Sequence, residues 1–236
     1  MPLSEGSFHQ PVGRSARAVT DRYAWEHGMA YPTTATFYRI GAAAGCGSAV
    51  ILLFNAAKRA ELIPTSAFTQ LIAPLAQILA LGLVTALYVG FGRRAGTFGL
   101  IAFLLNAFSL TALVGVEFVI NLVFAGLPGP TIQELRAGPL GIALTVVSIT
   151  FLLGSLGFVA AMLRGREVPT VPLVLYAVGA VPVSLRAFVP EVVLDLGLVA
   201  LAVAIGWLAI WLFGRSGHLT AWSDTTTLTT HQHSAT

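Results

Sequence analysis

The chain has 236 residues, 56% of them hydrophobic and only 10% charged, with a formal net charge of +3 and a mean hydropathy of +0.82. About a quarter of the residues of a soluble domain are charged, so this composition excludes a water-clothed globular domain. The arginines stand singly or in pairs between apolar runs, which excludes a clustered nucleic-acid-binding patch, and the lone Cys46 excludes an intrachain disulfide.

Residues 1–37 form a polar tail. Within it Ser15 to Met29 reads as a short helix, and Tyr23, Trp25 and Tyr31 suit a membrane surface; a frayed tail with stray aromatics reads equally well. The first apolar run begins near Ile40, too late for a cleavable signal peptide. Cys46 reads as a small packing residue.

A helix needs about 20 apolar residues to cross a bilayer core. Six runs qualify: Tyr38 to Ala57, Phe68 to Phe91, Thr97 to Phe124, Leu140 to Leu163, Val171 to Val189 and Val192 to Phe213. None alternates with period two, so a membrane barrel is not expected. The fold class is therefore all-α, a polytopic transmembrane bundle over residues 38–214. Between the third and fourth runs, "AGLPGPTIQELRAG" carries a Pro-Gly-Pro turn, and Thr131 with Glu134 reads as a capping box that starts a helical turn. Residues 215–236, ending "SDTTTLTTHQHSAT", are expected to be disordered. With the N-terminus in the cytoplasm, the cytoplasmic segments collect Arg93, Arg94, Arg164, Arg166 and Arg215. The opposite side keeps Lys58, Arg59, Arg136 and Arg186. Both termini are thus expected in the cytoplasm and the protein in the cell inner (plasma) membrane.

Apolar faces gain nothing by leaving lipid for one another, so small residues and polar contacts must drive helix association. Gly41, Gly45 and Ser48 place a small-residue face on the first span. Pro74, Pro172 and Pro182 fall inside predicted spans and should kink or break them.

The polar side chains of the spans converge on one side. Glu117 and Asn121 lie four apart in the outer half of the third span; Arg186 ends the fifth; Glu191 and Asp195 open the sixth; Asn55 ends the first; Gln70 and Gln77 share a face of the second. Asn106 lies nearer the middle. In one reading these groups line a polar pocket, with Glu117 as a proton or cation site, because intramembrane acids are costly and often functional. In the other, Arg186 bridges Asp195 or Glu117 and ties helices together; if Arg186 takes Glu191 and Asp195 instead, Glu117 is left to Lys58 or Arg59, or stays protonated. The candidate site residues are Glu117, Asn121, Arg186, Asp195, Gln77 and Asn55.

All five histidines lie outside the predicted spans, so no metal or haem ligand comes from a span. No phosphate-binding loop, nucleotide fingerprint or nucleophile elbow is present, and no cofactor is expected. The stretches "YRIGAAAG" and "FVPEVVLDLGLVALAVAIGWLAIWLF" resemble bacterial six-helix integral membrane proteins of the domain-of-unknown-function type, a resemblance that covers Tyr38 to Phe213 and implies a fold but no activity. The sequence points to a non-enzymatic membrane protein, small and transporter- or permease-like, surrounded by lipid bilayer. The alternatives are an accessory subunit docking on another membrane protein or on its own copy through Gly41 and Gly45, and a lipid-modifying enzyme using Glu117.

Overall fold

The computed structural model describes residues 34–233, with side chains from 35 to 216. The expected surface helix at Ser15 to Met29 lies outside the described residues. Every described element is helical: α1 (Thr34–Arg59), α2 (Ala67–Ile72), α3 (Leu75–Phe91), α4 (Gly96–Phe118), α5 (Gly129–Ala137), α6 (Pro139–Gly165), α7 (Thr170–Ser184) and α8 (Glu191–His233).

Four stretches are long and apolar enough to cross a membrane: Ala35–Arg59, Ala67–Gly126, Pro139–Gly165 and Glu191–Ser216. The sequence reading expects six, and two local features account for the difference. The second and third runs are joined by a single 3-10 turn, Gly92–Ala95, into one helical stretch. The fifth, α7, has only 15 residues; it carries Pro182 near its end and stops at Ser184 rather than Val189. Large apolar side chains face outward all round, among them Ile40, Phe108, Ile142, Val171 and Ile210, each more than half exposed. Water does not tolerate such a surface. The chain is a membrane protein.

The helices close a ring. α1 packs on α3, α3 on α4, α4 on α6, α6 on α7, α7 on α8, and α8 returns to α1. Small residues set the spacing. A Cβ on Gly41 would collide with Ala86 of α3, and one on Gly45 would lie 2.8 Å from Ala209 of α8. The Gly41–Gly45 face is therefore used inside the chain. Ser48 reinforces it by donating a 2.8 Å hydrogen bond to the Ala76 carbonyl. Another tight crossing joins α7 and α8, where a Cβ on Gly179 would stand 2.7 Å from both the Gly197 carbonyl oxygen and the Leu201 amide nitrogen. Cys46, expected in the packing, is exposed on the outer side of α1.

The three prolines act differently. Pro74 caps α3 and separates it from α2, which puts Gln70 on a different helix from Gln77. Pro172 sits in the first turn of α7, where a missing amide costs nothing. Pro182 lies in the last turn of its helix, two residues before Ser184. The connector does form a helix, α5, starting at Gly129 without a side-chain cap, so the Thr131–Glu134 box is not its origin. Beyond Arg215, α8 continues to His233 where the sequence reading expects disorder; extending a helix costs far less than nucleating one.

Overpacking a tight crossing costs about 1–3 kcal/mol. Gly179→Ala should therefore lower the unfolding temperature in detergent by several degrees. Gly115→Ala, where nothing lies within 4 Å of the new Cβ, should leave it unchanged or raise it through helix propensity. Differential scanning fluorimetry of both variants checks the contrast.

Candidate functional site

Two ends of the ring differ in chemistry. At one end Arg94 pairs with Glu167, and Arg164 and Arg215 lie over Phe98 and Trp211. Arg39 donates to Ser216 at 3.4 Å. Inward of these, Tyr38, Phe91 and Trp211 form a chain of ring contacts, and Leu83, Leu87, Phe158 and Leu208 fill the axis, each at most 2% exposed.

The other end is hollow. A cavity of about 110 Å³ opens there, walled by Asn55, Lys58 and Arg59 of α1, Glu117 and Asn121 at the end of α4, and Arg186 after α7. A second cavity of about 40 Å³ lies below it and shares Asn55, Glu117 and Arg186; it continues past Gln77, Ser148 and Ser184 to Tyr176. Tyr176 also borders a small apolar gap above the Phe158 plug. The hollow thus narrows along the axis and ends at the packed core.

Local structure aims these side chains. After Phe118 the α-helix widens into a π turn, Val119–Val123, a feature frequent at functional sites. It carries Asn121, whose amide nitrogen donates to both the Glu117 carbonyl and the Glu117 carboxylate at 2.9 Å. The Asn121 oxygen accepts from Lys58 Nζ at 2.6 Å. Lys58, Asn121 and Glu117 thus form a relay in which the amide hands the cation's polarity to the acid.

Arg59 takes both acids at the start of α8. Its Nε donates to Asp195 Oδ1 at 3.1 Å, and its Nη2 pairs with Glu191. Arg186 therefore does not bridge the hairpin to Glu191 or Asp195, although they are its nearest acids in sequence. It faces Glu117, with 3.8 Å from Nη1 to Oε1, beyond hydrogen-bond distance.

The structure brings Glu117, Asn121, Arg186 and Asn55 to one cavity and puts Gln77 in the lower one. Asp195 belongs to the Arg59 ion pair, and Gln70 lines neither cavity. Sequence reasoning placed Lys58 and Arg59 on this side as topology charges and possible partners of Glu117, and missed that they wall the cavity. The signal was their spacing, since Lys58 lies one turn beyond Asn55 on the same helix. It also missed Tyr176, which reaches a polar knot at mid-height. There Ser155 donates to Asn106 Oδ1 at 3.3 Å, while the fully buried Asn106 Nδ2 has no partner among the described residues. No group of three or more His, Cys, Asp or Glu that could hold a metal occurs among the described residues.

Fold and surface together define the class: an all-helical membrane protein with a polar cavity entering from one end of the ring. No family model, curated protein or solved structure matches the chain.

A double-mutant cycle separates the ion pairs. Arg59 with Asp195 should show a coupling on the order of 1 kcal/mol, the upper range for a partly exposed pair with good geometry. The looser Arg186 and Glu117 pair should show less. Equal or reversed couplings, measured by thermal unfolding, would make Glu117 chiefly a structural partner.

Proposed function

We propose that the protein is a small permease-like transporter that crosses the membrane six times, with both termini in the cytoplasm of the cell and the Glu117 end facing out. The observation that carries this reading is the tapering hollow: polar at its mouth and closed toward the opposite end by Phe158 and the leucines around it. A structural bundle has no need of a polar shaft along its axis, and unspent polar groups at depth are expensive in lipid. Asn55 is 9% exposed and its amide makes no hydrogen bond among the described residues. Its amide therefore faces the cavity, where water or a ligand can pair with it.

Six crossings follow if the helical stretch Ala67–Gly126 folds back at Gly92–Ala95. Contacts of both its arms support this. α3 ends beside Tyr38, at the start of α1, and α4 ends beside Lys58, at the end of α1. The short α7 makes the fifth crossing. The excess of arginine at the Arg94 end supports a cytoplasmic position for that end. An accessory-subunit role is the weaker reading, because the Gly41–Gly45 face proposed for docking is already occupied by Ala86 and Ala209.

Two measurements test the proposal. In a Cys46→Ser background, Ser66→Cys should react with a membrane-impermeant maleimide added to intact cells, and Thr97→Cys should react only after the membrane is opened. The reverse pattern would flip the orientation, and labelling of both from outside would remove the second crossing. For transport, proteoliposomes on a solid-supported membrane should give a transient current on rapid exchange into sodium acetate, glycine or rubidium chloride. Glu117→Gln or Arg186→Gln should cut that current several-fold. Silence with all three solutes, equal to protein-free vesicles, counts against transport.

A further inference from the structure

Hydrogen-bond donors outnumber acceptors among the side chains that wall the mouth. Lys58, Arg59 and Arg186 wall the upper cavity, with Glu117 the one carboxylate among its lining residues. Arg59 is spent on Glu191 and Asp195. Lys58 and Arg186 are left to share Glu117. Lys58 uses one of its three donors on Asn121. Arg186, which has five, makes no hydrogen bond among the described residues, and its guanidinium stands 3.8 Å from Glu117. Asn55, nine-tenths buried and without a partner among the described residues, adds a neutral amide donor from the same wall. Glu117 in turn already accepts from Asn121. With the two acids behind Arg59 the charges at this end balance at three and three, but the unspent donors of Lys58, Arg186 and Asn55 on the cavity wall outnumber the acceptors that face them.

One of the two sequence readings made Glu117 a proton or cation site. The arrangement of its neighbours favours the opposite sign, and we propose that the upper cavity binds a short-chain monocarboxylate, clamped between the Lys58 ammonium and the Arg186 guanidinium with the Asn55 amide as a third donor. This rests on the reading of the hollow as a ligand site and deepens it by naming the substrate class. A ligand rich in acceptors takes up the donors that the wall leaves unused. The planar guanidinium fork matches a carboxylate better than a spherical halide. The rest of the wall is Ile120, Val183, Leu194 and Leu198, which suits a short hydrocarbon and not a second charged group. The cavity of about 110 Å³ holds several times the roughly 10–15 Å³ that one water takes on this measure, room for a molecule the size of acetate or propionate. Glu117 is then a built-in competitor: its carboxylate lies loosely against Arg186 until the ligand's carboxylate displaces it.

The test is equilibrium binding of carbon-13-labelled acetate to the full-length protein in lipid nanodiscs, followed by NMR line broadening at constant ionic strength. Saturable binding is expected, competed by propionate and poorly by chloride. Arg186→Gln should weaken it about tenfold or more, the scale of one lost charged hydrogen-bonding partner. Glu117→Gln should strengthen it, because the competitor is gone. If Arg186→Gln does not yield folded protein, Lys58→Gln and Asn55→Leu carry the same expectation. No saturable acetate binding overturns the proposal, as does equal competition by chloride or an affinity unchanged in the folded Arg186, Lys58 and Asn55 variants. The two readings fail separately. Acetate binding without any vesicle current upholds the anion site and removes transport. A rubidium current from protein that binds no acetate removes the anion site and leaves transport standing.

Discussion

The close approach of helices at glycine is the constraint on which the rest of this structure depends. In lipid there is no hydrophobic gain in bringing two apolar helices together, so cohesion must come from backbones that touch. Gly179 against Gly197 and Leu201, Gly154 against the Asn106 backbone, and Gly41 and Gly45 against Ala86 and Ala209 supply such contacts at successive joints of the ring. Because the joints are tight at these points, the ring has little freedom to collapse inward elsewhere. That is how an axial hollow survives at one end while Phe158 and Met162 are fully enclosed toward the other.

The hollow changes the meaning of the charged residues around it. Arg59 is held by two acids and ties the end of α1 to the start of α8. Lys58, one residue earlier, turns to the cavity. Neighbouring cations on one helix end thus divide the work, one fastening the ring and the other presenting charge to its interior. Glu117 stands between these roles. Asn121 fixes its position, yet its ion-pair partner is too distant to satisfy it fully. A carboxylate anchored by an amide and only loosely matched by a guanidinium is well placed to be exchanged for another carboxylate.

Much of this was legible in the sequence. Apolar run length and the placement of Glu117, Asn121, Asn55 and Arg186 by depth were enough to expect helices and a shared polar end. Three things were not legible, each for a physical reason. Which cation takes which acid depends on how far helix ends are rotated, and the π turn at Val119–Val123 alters that rotation with no signature in composition. Pro74 interrupts the helix between Gln70 and Gln77, and only Gln77 reaches a cavity; a proline in a span announces a disturbance but not its kind. The ring order required knowing that α8 closes on α1, a pairing of the first and last long helices that no local pattern encodes. The Gly41–Gly45 pair announced a crossing correctly as a physical type without saying whose surface it would meet.

The brevity of α7 reaches beyond the protein to the bilayer around it. Fifteen helical residues rise only about 22 Å, against a hydrocarbon core of about 30 Å. If α7 makes the fifth of the proposed crossings, its Arg186 end lies below the headgroup plane unless the lipids beside it draw inward to meet it. Such hydrophobic mismatch costs fractions of a kcal/mol per ångström and is relieved in thinner leaflets. A dimple in the membrane over α7 would bring bulk water down to the mouth of the cavity, so acyl-chain length in the surrounding membrane becomes a control on how readily that mouth is wetted.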